Sequence, residues 1–168
     1  MDKYIFLDID GVIATPESVK SGLWALVDSK QVLLKDILQR TGAKIVLSSS
    51  WRKHTVPDTI KYMKEQGFWF ADKIVGVTIR AYQYVEKGIH LSMPRGAEIK
   101  QWIDTHVHSD NGKNWVKKQI GIDYQYVILD DDNDMLTNQF KHFVRCDSMI
   151  GLTIENAEQA IKILNTTK

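Results

Sequence analysis

The stretch Tyr4-Ile5-Phe6-Leu7-Asp8-Ile9-Asp10-Gly11-Val12 decides how the rest of the chain is read. An apolar run of strand length stops at two carboxylates two positions apart, and a glycine follows. Along an extended strand, residues i and i+2 point to the same side, so Asp8 and Asp10 are expected to share one face. Carboxylates held that close repel each other unless a positive charge lies between them. A hard divalent cation such as Mg²⁺, bound by carboxylate oxygens and a substrate phosphate, suits the position. Gly11 lets the backbone turn sharply and a ligand approach closely. An Asp-x-Asp after an apolar run is also an ordinary strand end, so the reading depends on what else converges there.

Working outward, Val32, Leu33, Leu34, Ile37 and Leu38 recur at helical spacing, which predicts a helix over 31–41 closed by Gly42. Lys44-Ile45-Val46-Leu47 then reads as a short buried strand that ends in Ser48-Ser49-Ser50-Trp51-Arg52. Strand, helix and strand at this spacing make a right-handed parallel βαβ unit. Both strands then end at one edge of the sheet, where ligands bind in open α/β folds. In the connection 13–29, Trp24, Leu26 and Val27 are read mainly as core, with closure over the two acids as the alternative.

Further along, a helix is expected over 59–66, stopped by Gly67, and a strand over 74–79. The β-branched and aromatic stretch to Tyr84-Val85 suggests a hairpin, making 68–94 a small insertion near the site. A helix over 96–105 follows Pro94, with Ile99, Trp102 and Ile103 on one side and Arg95 at its start. Tyr126-Val127-Ile128-Leu129 is another buried strand, ending in Asp130-Asp131-Asp132-Asn133-Asp134. Such a run repels itself unless it is solvated or holds a cation; the plain alternative is an acidic turn capping the next helix. That helix is expected over 135–139, a last strand over 142–146, and a terminal amphipathic helix N-capped by Thr153, with Ala157, Ala160, Ile161 and Leu164 inward. The alternation describes one α/β domain over 1–168, doubly wound around a mainly parallel sheet with flanking helices.

Composition narrows the classes. Of 168 residues, 43% are hydrophobic and 26% charged, and the net charge is +1. No broad electrostatic field argues for nucleic acid or an anionic membrane, although a local patch would suffice for the former. The single cysteine, Cys146, rules out an internal disulfide and reads as a small buried strand residue. With no leader-like start and no apolar run of membrane-spanning length, the expectation is a cytoplasmic protein without membrane contact. His106 and His108 are read as loop histidines rather than metal ligands, because no further His or Cys lies at suitable spacing. Trp69, Phe70, Tyr82 and Tyr84 offer rings on which bases could stack, set against ordinary packing.

Three apolar strands thus end in Asp-x-Asp, Ser-Ser-Ser and Asp-Asp-Asp, with a basic residue opening the helix before the third. In this respect the chain resembles the haloacid dehalogenase-like superfamily of phosphohydrolases, from Tyr4 to about Cys146. The combination DIDGV, VLSSSWR, PRGAEIKQW and VILDDD is most similar to a small group associated with RNA-repair proteins. In outline it is also similar to the phosphatase domain of polynucleotide kinase-phosphatases. The resemblance implies a Rossmann-like sheet, with little or no cap domain between the motifs. It implies Asp8 as nucleophile and Asp10 as general acid/base. Ser48 and Ser49 would bind phosphate, with Arg95 in the third motif (Lys100 is a weaker match) and Arg52 as a further contact. Mg²⁺ would be held by Asp8, Asp10 through its backbone carbonyl, Asp130 and Asp131, with Asp134 also at a family-like spacing.

The expected activity is a Mg²⁺-dependent phosphomonoesterase with an aspartyl-phosphate intermediate. An open site would suit a bulky substrate such as a 3′- or 5′-phosphorylated polynucleotide end. A protein or small-metabolite phosphatase of the same mechanism remains open, as does a non-catalytic domain of the same fold. Dehalogenases of the superfamily usually lack the second aspartate, so Asp10 favours phosphate chemistry.

Overall fold

The computed structural model describes residues 1–20, 22–80, 82–86, 89–106 and 123–166, with backbone alone over 82–86 and 89–92. Five parallel strands form the central sheet in the order β5-β4-β1-β8-β9. They are β1 (Asp2–Leu7), β4 (Lys44–Leu47), β5 (Ile74–Val77), β8 (Tyr124–Asp130) and β9 (Phe143–Arg145). Their apolar runs are continuous because both faces of the sheet are covered.

Side-chain alternation divides the core in two. Ile5, Leu7, Ile45, Leu47, Val127 and Leu129 face one way, against α1 (Asp28–Thr41) and α4 (Ile154–Asn165). Phe6, Val46 and Ile128 face the other way, against Ile99, Trp102 and Ile103 of α3 (Arg95–His106). Each fully buried Leu, Ile or Phe in these layers stabilises the fold by roughly 1.5–3 kcal/mol relative to exposure. Helices on both faces of a parallel sheet make this a doubly wound α/β fold.

The helix boundaries follow local chemistry. Gly42 ends α1 with φ 68°, and its N–H returns to the Leu38 carbonyl. The second helix, α2 (Val56–Glu65), starts three residues earlier than the apolar pattern suggests, because the Thr55 hydroxyl accepts from the Asp58 N–H and Pro57 fits the first turn. Thr153 caps α4 as expected, in a reciprocal pair with Asn156. The helix expected over 135–139 is instead a 3₁₀ turn at Thr137–His142. Its path is set by Gln139, which is buried and bonds the Leu136 N–H and the Gly96 carbonyl. A side chain at Gly96 would meet the Leu136 nitrogen at 2.5 Å, so the start of α3 packs directly on this turn.

The described chain also forms two antiparallel hairpins. One, β2 (Ala14–Lys20) with β3 (Leu23–Leu26), joins β1 to α1. The other pairs β6 (Tyr82–Glu86) with β7 (Ile89–Ser92), inside the 68–94 segment. Among the described residues, no helix is long and apolar enough to cross a membrane.

Candidate active site

Sheet register assembles the site. Leu7 stands level with Leu47 on one side and with Leu129 on the other. The next residue of each strand end, Asp8, Ser48 and Asp130, therefore emerges abreast at the C-terminal edge. Backbone bonds lock this alignment: Asp8 N–H to the Leu129 carbonyl at 3.0 Å, and Ser48 N–H to the Leu7 carbonyl at 2.9 Å.

Oxygens of Asp8, Asp130 and Asp131 lie within 4.8 Å of one another. Asp8 is 6% exposed and Asp130 is fully buried. One Asp8 oxygen accepts from the Ile9 N–H at 2.7 Å, and the nearby Ser49 side chain favours the charged form of this carboxylate. Asp130 Oδ1 accepts from the Asp132 N–H at 3.0 Å, whereas Asp130 Oδ2 has no hydrogen-bond partner. Arg95 Nε is 3.4 Å from that oxygen, near enough for charge attraction but not aligned as a donor. Burial pushes the Asp8 carboxyl above the usual range, against the pull of Arg95. Asp130 is raised first by burial and then by the charge of Asp8, and burial also raises Asp131. Crowded, desolvated carboxylates with an orphaned oxygen fit a hard, oxygen-seeking cation, which would supply the missing partner.

Gly11 makes room for this cluster. Its φ is +71°, and a Cβ there would fall 2.5 Å from the Asp131 carboxyl. The close approach assigned to that glycine is to the chain's own acid.

Asp8 and Asp10 differ in surroundings. Asp10 lies half-buried, and its carboxylate is outside the three-acid cluster. It accepts from Trp51 Nε1 at 3.0 and 3.1 Å and from the Ser50 hydroxyl at 3.3 Å. Two carboxylates two residues apart are thereby separated: one crowded among acids, the other held by neutral donors.

Arg95 opens α3 and points back into the site. Its guanidinium bonds the Ser48 carbonyl and reaches Asp8 Oδ2 at 3.6 Å. Lys100, one turn on, is paired with Asp104 on the helix surface, so Arg95 occupies the basic position beside the acids. Asp134 turns away from the cluster: its carboxylate accepts from the Arg95 N–H at 2.8 Å and caps α3. The acidic turn thus caps the preceding helix rather than the following one.

Arg52 is neither a solvated arginine nor aimed at the cluster. It is buried, bonding the carbonyls of Ser49 and Ile79 and pairing with Glu98 at 2.9 Å. It braces the loop that carries Ser49. Ser48 is buried too, its hydroxyl 3.5 Å from that of Thr78.

Trp51 and Ser50, whose side chains hold Asp10, carry no motif that marks them as site residues. The only signal was their place directly after Ser48-Ser49. His106 stacks on Trp102 at 4.6 Å within α3, while His108 lies outside the described residues. Trp69 is half exposed, Phe70 packs on Phe68, and the side chains of Tyr82 and Tyr84 are outside the described set.

A parallel sheet with acids at the ends of two adjacent strands, a serine loop on a third strand end and an arginine across them defines an α/β protein of the haloacid dehalogenase-like type. A family model described as the HAD domain in Swiss Army Knife RNA repair proteins matches residues 4–157, and the chain belongs to that family. No curated protein and no solved structure matched it. Membership supports a phosphatase-like hydrolase activity in general terms.

Proposed function

We propose that the protein is a Mg²⁺-dependent phosphomonoesterase acting on phosphorylated polynucleotide ends, with Asp8 as nucleophile. The observation that carries this reading is the Asp8–Asp130–Asp131 cluster, in which Asp130 Oδ2 is buried without a hydrogen bond. Asp8, Asp130 and Asp131 would hold the ion, together with the Asp10 backbone carbonyl. When bound, Mg²⁺ would neutralise charge on the carboxylates and the transferring phosphoryl group.

The chain's own groups do the remainder. An Asp8 carboxylate oxygen attacks phosphorus, the bond to the leaving oxygen breaks, and the phosphoryl group rests on Asp8. Asp10 gives its proton to the leaving oxygen, then takes one from the water that attacks the aspartyl-phosphate, which returns Asp8 and releases phosphate. Arg95 and the donors of the Ser48-Ser49 turn compensate charge on the phosphoryl oxygens. The family's association with RNA repair supports a polynucleotide end as substrate.

The test is phosphate release by the wild type and by Asp8→Asn, with and without Mg²⁺. The substrates are 3′- and 5′-phosphorylated oligonucleotides, phosphopeptides and glycerol phosphate. Turnover requiring both Mg²⁺ and Asp8, fastest on oligonucleotides, is expected. Preference for another class would replace the substrate, and turnover by Asp8→Asn equal to wild type would overturn the mechanism.

A further inference from the structure

A cavity of about 840 Å³ lies between the β2–β3 hairpin, the loop after β4 and α2, and Asp10 forms part of its wall. This is within the range of about 300–1,000 Å³ typical of ligand pockets. Its lining carries Trp24 from the hairpin, Trp51 from the loop and Tyr62 from α2, all half-buried. Trp51 and Tyr62 meet edge to face at 6.2 Å. Two ammonium groups join them: Lys20 from the hairpin, and Lys53, whose Nζ stands 3.5 Å above the Tyr62 ring. Lys53 also borders a neighbouring cavity that holds His54 and Arg80.

We propose that this cavity is the leaving-group subsite and that it takes the base of the nucleotide bearing the scissile phosphate. The inference rests on the phosphatase reading above and adds the side on which the substrate lies. A leaving oxygen protonated by Asp10 must be within reach of its carboxylate, so the group attached to that oxygen extends toward the cavity Asp10 borders. Aromatic faces beside cations suit a flat π system followed by a phosphate. A phosphoserine or phosphothreonine side chain would bring no flat ring to these faces. Trp51 both borders the cavity and bonds Asp10, so occupancy and the acid/base residue share one side chain.

Two short single-stranded RNAs with the same terminal phosphate test this, one with a base on the last nucleotide and one abasic there. Binding to Asp8→Asn is read by anisotropy of a label at the far end, and turnover is measured with the otherwise wild-type protein. The base-bearing end should bind and react roughly ten- to hundredfold better, the range of one stacked base. Trp24→Ala should lose at least tenfold more on the base-bearing end than on the abasic one, and Trp24→Phe should retain the preference. Lys20→Ala, on an exposed side chain, should weaken both ends alike. Equal handling of both ends by wild type, or equal losses on both in Trp24→Ala, would overturn the subsite. Base-selective binding without any turnover would keep the subsite and remove the phosphatase reading. Turnover without base selectivity would do the reverse.

Discussion

The indole Nε1–H of Trp51 donates to both carboxylate oxygens of Asp10, at 3.0 and 3.1 Å. This contact fixes the carboxylate without adding charge. Trp51→Phe keeps an aromatic ring and removes the donor. A hydrogen bond to a charged group contributes about 1.5–3 kcal/mol, so kcat should fall roughly ten- to hundredfold with a smaller change in KM. Asp10→Asn should lose more, about 10²–10⁴-fold, as removal of an acid/base group does. Steady-state kinetics on a phosphorylated oligonucleotide checks both. Unchanged kcat in Trp51→Phe would reduce the contact to packing.

Mg²⁺ should stabilise the fold measurably. The buried acids repel one another, and Asp130 Oδ2 has no hydrogen-bond partner. Ligand present at about 100 times its Kd adds about 2.7 kcal/mol to stability, a shift of several degrees in Tm for a chain of this size. Asp130→Asn keeps the shape and removes one buried charge. Without metal it should be at least as stable as wild type, and the Mg²⁺-induced shift should largely vanish. Differential scanning fluorimetry with Mg²⁺ and with EDTA separates the two effects.

How much of this was legible in the sequence depended on whether a signal was local. The acids of Asp8 and Asp130 stand at the ends of apolar runs, so alternation and crossover geometry suffice to bring them to one edge. Arg95 was likewise readable, because Pro94 marks the helix start beside it. Other features were set by tertiary contacts between distant residues. Arg52 sits in a motif-like string, yet Glu98, distant in sequence, draws it into a buried pair. Asp134 lies among candidate ligands, yet the free N–H at the start of α3 captures it. The turn at 137–142 departs from a helix because Gln139 satisfies backbone groups on two elements. The pairing of Trp51 with Asp10 has no periodic signature at all.

Gly11→Ala should damage the site and the fold together. The left-handed conformation costs an L-residue roughly 1–2 kcal/mol. The new methyl would also meet the Asp131 carboxyl at 2.5 Å and must displace it. Expected results are a lower denaturation midpoint in urea and at least tenfold weaker Mg²⁺ binding by titration calorimetry. Lower stability with unchanged Mg²⁺ affinity would mean that Asp131 is not held for the ion.

Arg52 and Glu98 form a buried ion pair at 2.9 Å, and their side chains are 5% and 8% exposed. Removing one partner takes the 2.9 Å counter-charge from the other in a buried site, so Arg52→Met should cost about 3–5 kcal/mol in urea unfolding, and Glu98→Leu a similar amount. The double variant should recover much of that loss, because no buried charge then lacks the counter-charge this pair supplied. This non-additivity is the signature of a bracing pair. An arginine that instead gripped the substrate phosphate would behave differently: Arg52→Met would raise KM with little loss of stability, and Glu98→Leu would not rescue it. Urea denaturation of the four proteins in the cycle, with KM measured on the same preparations, decides between these roles.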